Sequence, residues 1–168
     1  MRFEVPSKGK QLCEAMLDKD AVLEFRVLPQ PHLCAVVRQG VADFARAHGV
    51  ADEDLTHILT ALGEALANAI EHAGGEEPID LQVRVGSDRI VVTVQDSGVG
   101  FPSELMSPPP DLPDLPEPSA ERGRGLPIMR RCTDIFAIRS LPGRGTAVVL
   151  GRYLSKAASG SSRGRGVA

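Results

Sequence analysis

The sequence predicts an α/β two-layer sandwich, a mixed and mostly antiparallel sheet with helices over one face. Three observations carry that prediction. Residues 31–48 and 52–73 repeat apolar side chains at helical spacing. Stretches near 22–28, 79–85, 89–95, 135–141 and 146–153 read as strands. Two tight turns, Gly86-Ser87-Asp88-Arg89 and Pro142-Gly143-Arg144-Gly145, join four of those strands in pairs, which makes the pairs antiparallel.

Taken in order, Leu23-Glu24-Phe25-Arg26-Val27 alternates as a half-buried strand. Pro31 opens a helix on which Leu33, Val36, Val37, Val41, Phe44 and Ala45 recur at helical spacing, and Gly49 stands where a C-terminal cap belongs. Asp52, Glu53 and Asp54 place acid at the positive end of the next helix. On that helix Leu55, Ile58, Leu59, Leu62, Leu66, Ala69, Ile70 and Ala73 share one broad face. Glu64, Asn68 and His72 fall at i, i+4 and i+8, a polar stripe away from that face. Asn competes for the backbone and is a mediocre helix former, and small residues crowd it: Ala65, Ala67 and Ala69. Such a stripe suits something packed close against the helix.

After the turn at residues 74–78, Ile79, Leu81, Val83 and Val85 alternate with polar residues, and Ile90, Val92 and Val94 do the same. The second strand runs into Asp96-Ser97-Gly98-Val99-Gly100-Phe101. Residues 102–122 carry seven prolines, which fit neither a helix nor a central strand, so this is a long loop. It leads through Arg122-Gly123-Arg124-Gly125-Leu126 into a short helix over 127–132. Residues 10–17 present Leu12, Cys13, Met16 and Leu17 as the apolar face of a short helix, and the Ser/Gly-rich tail from Ser155 reads as disordered.

The 168 residues make one domain with length enough for a core, and five Phe, one Tyr and no Trp require that core to be aliphatic. A net charge of -3 points to neither nucleic acid nor an anionic membrane. Cys13, Cys34 and Cys132 lack metal-ligand spacing and read as reduced core thiols in a cytoplasmic protein. The N-terminus has no apolar signal region, and no apolar run approaches the ~20 residues of a membrane span.

Four features carry chemistry. The Glu64–Asn68–His72 stripe is the first. Asp96 with Gly98 and Gly100 at a strand end is the second: a buried Asp accepts a hydrogen bond from an amino group, and the glycines let backbone approach a flat ligand. Gly123-Arg124-Gly125 opening a helix is the third, because N–H groups at a helix N-terminus bind phosphate. Gly145-Thr146 at the head of the last strand is the fourth.

In this order and spacing the four resemble the Bergerat-fold ATP-binding domain shared by gyrase, histidine kinases and MutL proteins. The match covers residues 21–154, leaving 1–20 as an extension without an assigned role, 102–122 as a lid and 155–168 as a tail. Within that superfamily the chain looks most like the anti-sigma factor serine-protein kinases, whose Glu-Ala-x-x-Asn-Ala-x-x-His pattern reads here from Glu64 to His72. The resemblance implies ATP and Mg²⁺ as cofactors. It implies that Asn68 ligates Mg²⁺ and that Glu64 is the general base. Asp96 would bind the adenine amino group, with Thr146 nearby through water, and Gly98 and Gly100 would shape the adenine pocket. Gly123, Arg124, Gly125 and Leu126 would close over the phosphates, with Arg122 or Arg124 steadying the transferred phosphoryl group. His72, one turn past Asn68, packs or caps.

The implied partners are a STAS-domain anti-anti-sigma factor as substrate, a sigma factor, and a second copy in a homodimer through the N-terminal strand and first helix. A non-catalytic ATP-binding anti-sigma switch is the alternative, and Glu64 argues against it because a switch needs no base. Sensor histidine kinases typically carry Asn where Glu64 stands, and gyrase-type hydrolases are long and multidomain, so neither is expected.

Overall fold

The computed structural model describes residues 20–72, 76–100, 124–141 and 143–155. Its elements are β1 (Ala21–Val27), α1 (Leu33–Ala47), α2 (Asp52–His72), β2 (Ile79–Val85), β3 (Arg89–Gln95), α3 (Gly125–Cys132), β4 (Ile135–Leu141) and β5 (Gly145–Tyr153). The expected helix at residues 10–17, the lid at 102–122, Arg122, Gly123 and the tail beyond Ser155 lie outside the described residues.

The five strands form one sheet in the order β1-β2-β3-β5-β4. Every neighbouring pair is antiparallel, the limiting case of the mostly antiparallel sheet expected. Strict alternation decides the faces. Ile79, Leu81 and Val83 of β2 and Ile90, Val92 and Val94 of β3 point to one side and are buried. Against them pack Leu55, Ile58, Leu62 and Leu66 of α2, so the core is aliphatic and lies between the sheet and its helices. The other side carries polar residues. There Arg26 donates to Asp80 at 2.6 Å, an exposed pair that contributes little to stability.

α1 ends as its sequence predicts. Gly49 takes φ +82, its N–H donates to the Arg46 carbonyl, and the Val50 N–H donates to the Ala45 carbonyl. This is the Schellman arrangement, and buried Val50 and Ala45 supply its apolar contact. Val37, Val41, Ala42 and Ala45 form the buried face of α1, whereas Val36 is 66% exposed. Helical spacing alone does not separate Val36 from Val37, because both lie on the broad apolar arc.

The start of α2 departs from expectation. Asp52 and Glu53 are exposed acids at the positive end of the helix. Asp54 is wholly buried and accepts hydrogen bonds from Arg152 Nε at 2.9 Å and from the Ser155 N–H at 2.8 Å. The first residue of the tail is therefore fixed to α2. Among the described residues no helix is long and apolar enough to cross a membrane.

Candidate active site

The polar stripe of α2 is covered. Glu64 and Asn68 are both half-buried, and the N-terminus of α3 lies over them. A Cβ placed on Gly125 would stand 3.2 Å from Glu64 Oε2, 3.2 Å from Asn68 Nδ2 and 3.4 Å from Asn68 Oδ1. Any residue larger than glycine there would press on both side chains. The i, i+4 spacing puts the two polar groups one turn apart on one side of α2, and Gly125 lets the start of a second helix reach them. The positive end of α3 thus meets a carboxylate, a favourable arrangement. Its first turn closes through the Ile128 N–H and the Arg124 carbonyl at 3.0 Å.

A second cluster forms where β3 ends beside the start of β5. Asp96 is 6% exposed; its Oδ1 accepts the Gly98 N–H at 2.9 Å, and its own N–H donates to the Thr146 carbonyl at 2.9 Å. The side chain therefore holds its own turn. Gly145 takes φ +86, and a Cβ on it would overlap the Asp96 carbonyl, so only glycine allows β5 to approach Asp96 so closely. Thr146 is buried, and its hydroxyl lies 3.0 Å from that of Ser140 on β4. Gly100 takes φ +80, and the carbonyl of the preceding Val99 accepts the Gly143 N–H at 2.9 Å, joining this loop to the β4–β5 turn.

The expected site residues thus fall into two groups: Glu64, Asn68 and Gly125 in one, Asp96, Gly98 and Thr146 in the other. Gly100 borders the second. Arg124 caps α3 without a side-chain capping hydrogen bond, and the Leu126 side chain packs on the core. His72 is half-buried at the end of α2. Gly145 was singled out beside Thr146 from the sequence but given no role of its own, whereas Ser140 and the contact of Gly125 with Glu64 and Asn68 were not assigned.

Cys34 and Cys132 pack against the core as expected, while Cys13 lies outside the described residues. Cys34 and Cys132 are half-buried and free. Burial pushes the Cys132 thiol up, Arg152 pulls it the other way and the Glu64 charge raises it again, with a net rise. A thiol so placed is a poor nucleophile.

The chain is similar to known proteins over most of its described length. The family model described as a histidine kinase-like ATPase domain matches residues 27–152. An anti-sigma F factor of Bacillus velezensis is 36% identical over 139 residues, covering 80% of this chain and 92% of that protein. The serine-protein kinase RsbW of Bacillus mycoides is 27% identical over 146 residues, covering 84% of this chain and 90% of that one. Among solved structures, the RsbU and RsbW domains of a Mycobacterium tuberculosis protein match with a TM-score of 0.62 at 18% identity. That match spans 82% of this chain and 34% of the longer one, and it shows the shared fold.

Proposed function

The chain belongs to the anti-sigma factor serine-protein kinase family of histidine kinase-like ATPase domains, and from that premise we propose that it is an ATP-dependent serine/threonine-protein kinase acting as an anti-sigma factor. In this reading it works in the cytoplasm as a homodimer within a partner-switching system. It phosphorylates a STAS-domain anti-anti-sigma factor and sequesters a sigma factor. The observation that carries the reading is the placement of Glu64 and Asn68, one turn apart and both against Gly125 at the head of α3.

The residues fit Mg²⁺ and ATP. Asn68 offers a hard amide oxygen suited to the ion, and Gly125 lets the backbone at the head of α3 come close to it. Among the described residues no group of three or more His, Cys, Asp or Glu could hold a metal, which suits an ion that takes most of its ligands from water and phosphate. When bound, Mg-ATP supplies the transferable phosphoryl group and the cation that offsets its charge.

The chain's own residues do the rest. Asn68 holds the metal end through its amide oxygen. Glu64 accepts the proton of a Ser or Thr hydroxyl on the docked substrate protein, which raises the nucleophilicity of that oxygen. Asp96 keeps its turn through the Gly98 N–H and uses its remaining acceptor capacity for the adenine amino group. Gly98 and Gly100 shape the pocket for the ring, and Thr146 keeps a free lone pair for a bridging water beside its bond to Ser140. Gly123, Arg124, Gly125 and Leu126 present backbone to the phosphates, with Arg122 or Arg124 steadying charge on the phosphoryl group.

Incubation with ATP labelled on its γ-phosphate and a STAS-domain protein tests the proposal. The label should appear on a Ser or Thr of that protein. ATP and partner binding without transfer would instead favour the non-catalytic anti-sigma switch.

A further inference from the structure

Charge is divided unevenly along the chain. Residues 20–100 hold thirteen Asp and Glu against five Arg. Residues 124–155 hold Arg124, Arg130, Arg131, Arg139, Arg144 and Arg152 against one acid, Asp134. Arg152 is paired with Asp54, and the Asp134 carboxylate takes the Tyr153 N–H. Four of the other arginines gather about β4. Arg130 lies over the Phe136 ring, 5.4 Å from its centroid, and Arg131 follows it, exposed. Ile138 packs on the core, so Arg139 turns to the open face of the sheet and is exposed. Arg144 is exposed in the turn after β4.

β4 is also one end of the sheet: among the described residues no strand lies beyond it. Such an edge presents a row of unpaired N–H and C=O groups. The two end strands differ in how their charges are met. On β1, Arg26 donates to Asp80 and Glu24 accepts from Gln82, so both find a partner on the neighbouring strand. On β4, Arg139 faces Ala147, and β5 contains no acid.

We propose that β4 and its arginines form a docking edge for an extended acidic segment of a partner protein, which adds to the sheet as a further strand. Backbone hydrogen bonds to β4 would hold the segment, and guanidinium groups are matched to carboxylates by their fork of donors. The seven residues of β4 span about 23 Å, room for a segment of similar length. Charge selects the occupant. A second β4 would bring the same arginines against the first set, and like charges repel. β1 of a second copy offers charges that are already paired. Nucleic acid would meet the acidic remainder of the chain. None of the four arginines is among the residues given to ATP, so failure of this surface would leave the reading of Glu64 and Asn68 untouched.

The probe is a fluorescein-labelled peptide of alternating Glu and Thr, titrated with the full chain at low salt and read by anisotropy. It should bind, more weakly as salt is raised, and the same peptide with Lys for Glu should not. Hydrogen exchange of residues 135–141 should slow when the Glu peptide binds, as strand addition requires. Arg131→Glu, Arg139→Glu and Arg144→Glu together should weaken binding about tenfold, the scale of a few exposed ion pairs lost. Should that variant melt early, Arg139→Gln alone should weaken binding roughly twofold to threefold. Arg26→Gln, on the opposite edge, should bind as the wild type does. Absence of binding, binding unchanged in the β4 variants, or binding that leaves exchange at 135–141 unaltered would each overturn the proposal. Tighter binding of a duplex oligonucleotide than of the Glu peptide would overturn it in favour of nucleic acid. Self-association that the arginine variants abolish would overturn it in favour of a second copy.

Discussion

Asp54 at the head of α2 and Arg152 near the end of β5 form a buried ion pair, Nε to Oδ1 at 2.9 Å, across 98 residues of chain. The Ser155 N–H adds a second donor to the same carboxylate. Removing one partner of a buried pair leaves the other charge uncompensated. Asp54→Ala should therefore lower unfolding stability by about 3 kcal/mol. Urea denaturation checks this, with the slope unchanged if only stability is affected.

The same carboxylate gives a pH dependence. Burial pulls Asp54 upward, but the Ser155 N–H, the Arg152 guanidinium and the Ser155 hydroxyl outweigh it and hold the carboxyl below its ordinary 3.8. The unfolded chain therefore takes up this proton first. The stabilisation is fully present above pH 3.8 and is lost as pH falls through the lower folded value. The stability difference between wild type and Asp54→Asn should narrow on acidification through that window. A difference that is constant there would contradict the depressed carboxyl.

Asp96→Asn separates the turn from the ligand. The amide oxygen can still accept the Gly98 N–H, so the fold should hold. The other side-chain position changes from acceptor to donor, so the rise in melting temperature produced by ADP or ATP with Mg²⁺ should largely vanish. Thermal melts with and without nucleotide measure it, and a full shift in the variant would remove Asp96 from the adenine pocket.

Gly125→Ala probes the close approach of α3 to α2. Alanine is the better helix former by about 1 kcal/mol, so on propensity alone the variant would be more stable. Its methyl group would instead stand 3.2 Å from Glu64 Oε2 and from Asn68 Nδ2 and displace both. Stability should change little while phosphate transfer falls, and Asn68 should hold Mg²⁺ less well. Titration calorimetry with Mg-ATP, beside the transfer assay, reads both effects.

Much of the fold was legible because period reports which face is inward. The strands 79–85 and 89–95 were read with the bounds that β2 and β3 have, since alternation and a tight turn are local properties. The pairing of Glu64 with Asn68 was legible for the same reason: i, i+4 spacing places both on one side of a helix. What covers a face is not local. Asp54 read as one of three acids at a helix start because its partners, Arg152 and Ser155, are about a hundred residues away in the chain. Val36 read with the core because spacing does not show where the helix layer ends relative to β1. The glycine at 125 was assigned to phosphate contact, and its seat against Glu64 and Asn68 emerged only from the packing of α3 on α2.

The central claim is that Glu64 does chemistry while Asn68 binds, and transfer of labelled phosphate to a STAS-domain protein by Glu64→Gln tests it most directly. The variant keeps the adenine and metal ligands, so its nucleotide-induced rise in melting temperature should match wild type. Losing a general base typically costs about 10²–10⁴-fold in rate, so transfer should fall by roughly that factor. Transfer at the wild-type rate, with nucleotide bound as before, would contradict the account.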